Sequence, residues 1–232
     1  MKSLIEKLQS DVFSNLEAED IAKLFKGNKI VWQESGFYGA EKAQKNIWKV
    51  EDILKSLNYI IVESAISNDI HEGFEGYCSV EFFKITADNR FKDSIVLNLT
   101  AHNLNLQLAN GETRTIPNSA NVITRTKQET SNLGEIINMP LSKLEATQLE
   151  VTDRELAIIS GASKIAKQMR VNLVCIVSSL ILEAMSEFSA KQFYQIYGVI
   201  YVAPNEYIRD ENGNIVAIKS LKTKFDGRGG IK

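Results

Sequence analysis

The residue set in this chain that comes closest to a catalytic site is a group of acids with one lysine. Asp69, His71 and Glu72 lie near the end of one predicted strand, and Glu81 and Lys84 lie in the next. A metal-dependent hydrolase needs such carboxylates and a lysine at neighbouring strand ends. Glu81 and Lys84 are three positions apart, so a regular strand places them on opposite faces. A metal-dependent hydrolase or nuclease that uses Asp69 and Glu81 is therefore the weakest of three functional hypotheses.

The histidines and cysteines do not form a metal-binding pattern. His71 and His102 each lack a nearby cysteine or second histidine, and Cys78 and Cys175 are far apart in the chain. Structural zinc sites use closely spaced pairs of these residues. We expect both cysteines to pack in the core, and we predict no cofactor, no metal and no catalytic residue.

The second part of the chain carries an excess of positive charge. Residues 151–232 hold 11 basic and 8 acidic residues, whereas residues 1–150 hold 16 basic and 21 acidic ones. The candidate binding residues in the basic part are Lys164, Lys167, Arg170, Lys219, Lys222, Lys224 and Arg228. Such cations can contact phosphates, can contact an acidic patch on a neighbouring subunit, or can simply remain solvated. All three interpretations stay open.

One basic segment resembles the helix-turn-helix of LuxR-type regulators in its amino-acid sequence. The resemblance covers residues 152–156 and 163–172 and implies a DNA-reading helix after the turn. The sequence departs from that pattern, because Arg170 stands where a turn glycine is usual. The recognition helix would also present Leu173 and Val174 to DNA, where polar side chains should read the bases. A core helix is therefore the favoured interpretation.

Apolar residues recur at helical spacing over residues 152–189, and residues 171–185 are apolar on a second face as well. The spacing predicts a long apolar helix with a capping box at Thr152 and Glu155. This long helix is expected either to break, at Ser160–Gly161, or to project towards a partner. The predicted interface residues are Leu173, Ile176, Leu180, Phe188, Phe193 and Tyr197.

A smaller aromatic group surrounds a glycine-containing loop near the start of the chain. It consists of Trp32, Phe37, Tyr38 and Trp48. Aromatic side chains near a loop can line a ligand pocket, or they can close one end of a core. The sequence leaves both possibilities open.

The remaining elements predict an α+β fold. Helices are expected over residues 2–15, 17–25 and 40–57, followed by an antiparallel meander of four or five strands. The meander includes one strand over residues 94–108 with a β-bulge at His102, and a type I′ hairpin at Asn110–Gly111. Residues 126–138 are expected to be an exposed connection, and the chain closes on a β-hairpin and a basic tail. We predict two parts, residues 1–150 and 151–232, packed as one unit.

The composition is that of an ordinary globular protein, with 44% apolar, 24% charged and 8% aromatic residues and a net charge of -2. It excludes collagen-like and largely disordered chains. The first residues lack the apolar stretch of a signal peptide, and the longest apolar segment is too short to span a bilayer. We therefore expect a soluble, cytoplasmic protein that does not act at a membrane.

These observations favour a non-enzymatic protein that associates with itself or binds another protein, such as an assembly component of a bacterium or its phage. The apolar helix, the aromatic residues and the basic tail all suit a contact surface. The alternative is a nucleic-acid-binding protein that uses the basic residues 164–170 and the tail.

Overall fold

The computed structural model describes residues 2–35, 39–69, 75–119, 124–136 and 139–225, and for residues 126–150 it describes the backbone. The chain forms two compact units, Met1–Ile85 and Thr86–Lys232. Both units combine helices with sheets, which confirms the predicted α+β class.

The first unit packs three helices on an antiparallel sheet. The helices are α1 (Lys2–Asp11), α2 (Ala18–Lys23) and α3 (Gly39–Ser56). The strands are β1 (Phe25–Lys26), β2 (Lys29–Ser35), β3 (Tyr59–Asp69) and β4 (Glu75–Lys84), in the order β1-β2-β4-β3. The early helices and the first strands of the meander are thus confirmed.

Alternation of side chains along the strands builds the core of this unit. Ile30 and Trp32 of β2 lie on the same sheet face as Cys78 and Val80 of β4, and all four are buried. The helices cover that face with apolar residues at helical spacing, among them Leu4, Leu8, Ala43, Ile47, Val50 and Leu54. Cys78 is a buried free thiol, as expected for a core cysteine.

The second unit contains a mixed six-stranded sheet. Its strands are β5 (Ser94–Asn98), β6 (Leu104–Gln107), β7 (Thr113–Ile116), β10 (Asn172–Ile176), β11 (Val199–Arg209) and β12 (Ile215–Thr223). The order is β5-β10-β11-β12-β6-β7, with β5, β10 and β11 parallel. β11 and β12 form the predicted C-terminal hairpin, whose turn is held by Asp210 accepting from the backbone N–H groups of Asn212 and Asn214.

The six-stranded sheet curls until its two edge strands meet. Asn98 of β5 forms a parallel bridge with Asn118, just beyond β7, and Asn98 Nδ2 donates to the carbonyl of Ile116 (3.0 Å). The curled sheet encloses an apolar cluster of Val96, Leu106, Ile116, Ile176, Val202 and Ile218. The other face of β10 packs against α4 (Asp153–Met169).

The predicted long apolar helix is wrong. The chain leaves α4 at Arg170, which adopts the left-handed conformation (φ 57°, ψ 42°), and continues as strand β10, helix α5 (Ser179–Ala184) and helix α6 (Glu187–Tyr197). The two apolar faces of residues 171–177 belong to a central parallel strand, which is covered on both sides. Ser160–Gly161 lies inside α4, so the break is not there. The resemblance to a helix-turn-helix also fails, because β10 occupies the place of the recognition helix.

The single strand predicted over residues 94–108 is also wrong. Two strands, β5 and β6, are separated by a loop, so the change of alternation at His102 marks that loop and not a bulge. Buried Asn98 organises the loop, because its Nδ2 donates to the carbonyl of His102 (2.7 Å) and its Oδ1 accepts from the Thr100 N–H (3.0 Å). The Asn110–Gly111 hairpin is present, but Gly111 alone of the two has a positive φ, so the turn is not type I′.

Candidate association site

A long hairpin stands apart from both sheets. Its strands, β8 (Arg125–Ile136) and β9 (Met139–Glu150), pair only with each other among the described residues. The segment predicted to be an exposed connection over residues 126–138 is thus largely a strand. Twelve residues per strand give the hairpin a length of about 40 Å. Each strand therefore has one edge without a backbone partner in the described part of the chain.

Apolar residues of both strands meet at the tip of the hairpin. Residues 125–132 of β8 contain no apolar residue, whereas Leu133 and Ile136 lie near the end of that strand. Met139 and Leu141 open β9, and the register pairs Ile136 with Met139 and Gly134 with Leu141. The stem is polar on β8, whereas β9 carries Leu144, Ala146 and Leu149 along its stem. A tip where apolar residues of both strands meet suits contact with an apolar surface.

The base of the hairpin is fixed by a buried glutamate. Glu155, in the first turn of α4, is 0% exposed, and its Oε1 accepts a hydrogen bond from Thr124 Oγ1, immediately before β8. The Glu155 N–H donates to Thr152 Oγ1 (3.1 Å), which confirms the predicted helix cap just after β9. Glu155 therefore ties the residues before and after the hairpin to α4.

Burial raises the pKa of Glu155, although the hydrogen bonds from Thr124 and Thr152 partly oppose this shift. Its Oε2 atom is buried without a partner among the described residues. The surroundings of Glu155 include two further buried groups, Cys175 and Tyr201, and burial raises the pKa of each of them. All three groups thus favour their neutral forms. Of this buried cluster, the sequence indicated only the helix cap at Glu155.

Replacing Glu155 with glutamine should make folding less dependent on pH. Because the folded-state pKa of Glu155 lies above its unfolded value, the stability of the native chain falls as pH rises through that interval. In E155Q the side chain would carry no charge and would keep an oxygen for Thr124. The stability of E155Q should therefore fall less with rising pH, with a gain over the native chain of about 1 kcal/mol at neutral pH. Urea unfolding at pH 4.5 and pH 8 measures this difference. E112Q, at an exposed glutamate, is the control, and equal pH profiles for E155Q and the native chain would contradict the prediction.

The predicted interface residues divide between core and surface. Leu173 and Ile176 lie in β10 and are 1% and 0% exposed, so both belong to the core of the second unit. Phe193 and Tyr197 are partly buried, and the Phe193 ring packs edge-on against Tyr201 at 5.4 Å.

Leu180 and Phe188, by contrast, lie on the surface, with exposed fractions of 45% and 69%. Ile196 of α6 is also strongly exposed, which the sequence did not single out. We refer to Leu180, Phe188 and Ile196 as the exposed apolar residues of α5 and α6. Large apolar side chains that stay exposed on neighbouring helices are candidates for contact with another protein.

Three of the predicted binding lysines have partners within the chain. Lys222 Nζ lies 3.0 Å from Glu183 Oε1, and Lys224 Nζ donates to the backbone carbonyls of Glu183 and Met185, each at 2.7 Å. Lys224 thus binds the C-terminal end of α5, where a cation stabilises the last carbonyls. Lys219 lies 3.6 Å from Glu206 Oε2 in the exposed face of the C-terminal hairpin.

The other predicted cations lie exposed on α4 or outside the described residues. Lys164 and Lys167 lie exposed on α4, and Arg170 forms its exposed C-cap. Arg228 falls outside the described residues. The structure therefore keeps three solvent-exposed cations together at one end of α4.

Of the residues considered for metal chemistry, Glu81, Lys84 and His102 have described side chains, and these are not brought together. Lys84 Nζ lies 4.9 Å from the centre of the Tyr59 ring, while Glu81 stands on β4, paired with Glu63 of β3. His71 and Glu72 fall outside the described residues. Among the residues that are described, no group of three or more His, Cys, Asp or Glu side chains could hold a metal ion.

Comparisons with protein-family models, with curated proteins and with solved structures find no significant match to this chain. Within the described ranges, no helix is long and apolar enough to cross a membrane.

Proposed function

We propose that this protein is a self-associating assembly component in which the β8–β9 hairpin of one copy packs against a neighbouring copy. The observation that carries the proposal is the hairpin itself, which belongs to neither sheet. An isolated two-stranded hairpin is at best marginally stable in water. A surface supplied by another chain would provide the missing contacts.

The hairpin is anchored at its base, and its length supports a contact with a partner away from that base. Thr124 and Glu155 anchor the base of the hairpin, and α5 is the described element with the most extensive contact to it. The helix α5 has six residues and is thus about 9 Å long, far shorter than the hairpin. Most of the length of the hairpin therefore extends beyond α5, which leaves room for a partner.

A second copy is the partner that the chain itself suggests. The exposed apolar residues of α5 and α6 offer large side chains, and the two strand ends at the hairpin tip carry four apolar residues. Contact between two different surfaces of identical chains is head-to-tail, and such contacts close into rings or continue as filaments. This mode of association fits a particle or filament component.

The mass of the purified chain tests the proposal. Size exclusion with light scattering should give a multiple of 26.0 kDa that falls on dilution, with a protein-like ratio of absorbance at 260 and 280 nm. A mass of 26.0 kDa at every concentration would overturn self-association.

Nucleic-acid binding is the alternative, and the three exposed cations at the end of α4 support it. On that hypothesis the absorbance ratio would be that of nucleic acid and would fall after a high-salt wash. The triple variant K164Q/K167Q/R170Q would then reduce the salt dependence of binding by up to about three counterions. Loss of bound nucleic acid without any change of protein mass would favour this alternative.

A further inference from the structure

The first unit contains a cavity that the association proposal does not use. Its volume is about 770 Å³, within the range of small-molecule sites. The walls come from residues 12–16 after α1, from β2, and from one face of α3. Trp32 and Trp48, two of the aromatic residues noted in the sequence, both line it.

A buried, fully partnered carboxylate lies in the wall of this cavity. Glu34 is 6% exposed, and its Oε1 accepts from Asn46 Nδ2 at 2.6 Å. Its Oε2 lies 2.8 Å from Lys42 Nζ. Burial and the nearby Glu34 charge raise the pKa of Cys78 to about 11, so that thiol is not a nucleophile at neutral pH. Glu34 holds Lys42 and Asn46 in fixed positions at the cavity wall.

The aromatic residues provide an apolar wall. Trp48 lines the cavity but is 57% exposed, so its indole ring is accessible to a bound molecule. Trp32 is buried, packs edge-on against Phe13 at 5.6 Å, and has an indole N–H without a partner in the described part of the chain. An exposed tryptophan at a cavity is a platform for stacking an aromatic ring.

Lysines of α3 supply positive charge beside that platform. Lys42, Lys45 and Lys49 line the cavity, against two acids, Glu34 and Asp52. The Lys45 ammonium contacts Glu41 at 2.6 Å in an exposed pair, which is a weak interaction that a ligand can exchange. Lys49 Nζ donates to the carbonyl of Asp11 (3.3 Å), at the entry to the 12–16 segment.

From this arrangement we infer that the cavity binds a small aromatic anion, with its ring against Trp48 and its carboxylate, sulfonate or phosphate group at Lys45 and Lys49. The two recognition elements, ring and charge, lie on adjacent positions of α3 and face the same cavity. Neither element depends on the hairpin or on self-association.

The test uses two probes with the same aromatic framework. 1-Anilinonaphthalene-8-sulfonate carries the negative charge, and the neutral N-phenyl-1-naphthylamine lacks it. Both brighten on leaving water, so titration of the folded chain gives both dissociation constants. The expected result is binding of the sulfonate at least about tenfold tighter than binding of the neutral probe.

Variants distinguish this site from unspecific binding. K45Q/K49Q should weaken sulfonate binding about tenfold and leave the neutral probe unchanged, and W48A should weaken both probes. K23Q/K26Q, at exposed lysines of the same unit, is the matched control and should change neither. Unaltered sulfonate binding by W48A or by K45Q/K49Q, with unchanged circular dichroism, would overturn the inference.

Discussion

Replacing the four apolar residues of the hairpin tip with serine is expected to turn the assembly into single chains of 26.0 kDa. The variant is L133S/I136S/M139S/L141S. Burial of each of these side chains against a neighbour contributes on the order of 1–2 kcal/mol. Their joint loss should raise the dissociation constant by at least about a thousandfold. Light scattering at matched concentrations measures the change.

A matched variant carries four serine substitutions in the other exposed hairpin of the second unit. Tyr207, Ile215, Val216 and Leu221 are 39–51% exposed in β11 and β12. The control therefore removes the same number of apolar side chains and should keep the mass of the native assembly. Equal loss of mass in both variants would show that surface apolarity in general, and not the tip, drives association.

The second large effect is expected from a substitution at Ile176 and concerns the free energy of unfolding. Ile176 lies inside the curled sheet at 0% exposure, paired in register with Asn98 of β5 and Val202 of β11. I176A should therefore lower the free energy of unfolding by about 2–4 kcal/mol, since it leaves a cavity in a closed core. L180A, at a half-exposed position of α5, should change it by less than about 0.5 kcal/mol. Urea unfolding followed by circular dichroism measures both values.

The same pair of variants separates core from interface. If I176A kept full stability but reduced the mass of the assembly, Ile176 would be an interface residue, as the sequence predicted. The closed sheet predicts the opposite result, a loss of stability that does not depend on protein concentration.

Local signals in the sequence predicted much of the fold. The cap at Thr152 and the C-terminal hairpin at Asp210–Asn214 are each determined by residues close in the chain. The two cysteines were correctly assigned to the core. Such features depend on a few side chains and their own backbone, so neighbouring residues suffice to predict them.

Features that depend on distant partners were not predicted. Residues 172–176 are apolar on both faces, and that pattern suits a buried helix and a central strand equally well. Their neighbours β5 and β11 decide the outcome, and these strands lie about 80 residues before and 30 residues after them in the chain. The strand β8 was missed because its residues 125–132 are all polar and show no alternation with apolar ones.

The candidate site was predicted only in part. Trp32 and Trp48 line the cavity, which is one of the two possibilities that the sequence left open, and Phe37 and Tyr38 lie outside the described residues. The contribution of Glu34 and Lys42 depends on the packing of α3 against β2 in space. The sequence indicated Glu155 only as part of a helix cap. Its second contact, with Thr124, joins residues that lie before and after the whole hairpin in the chain. The interface residues Leu180 and Phe188 remain exposed, but the proposed contact with a second chain stays a prediction.

The most direct test of the central claim is amide hydrogen exchange of β8 and β9 at two protein concentrations. If a neighbouring copy stabilises the hairpin, its amides should be protected at the concentration where the chain is assembled and should exchange rapidly after dilution to single chains. Amides of β10, in the core of the same unit, should stay protected at both concentrations. Hairpin protection that is equal at both, while the mass changes, would show that the chain holds its own hairpin and would contradict the account.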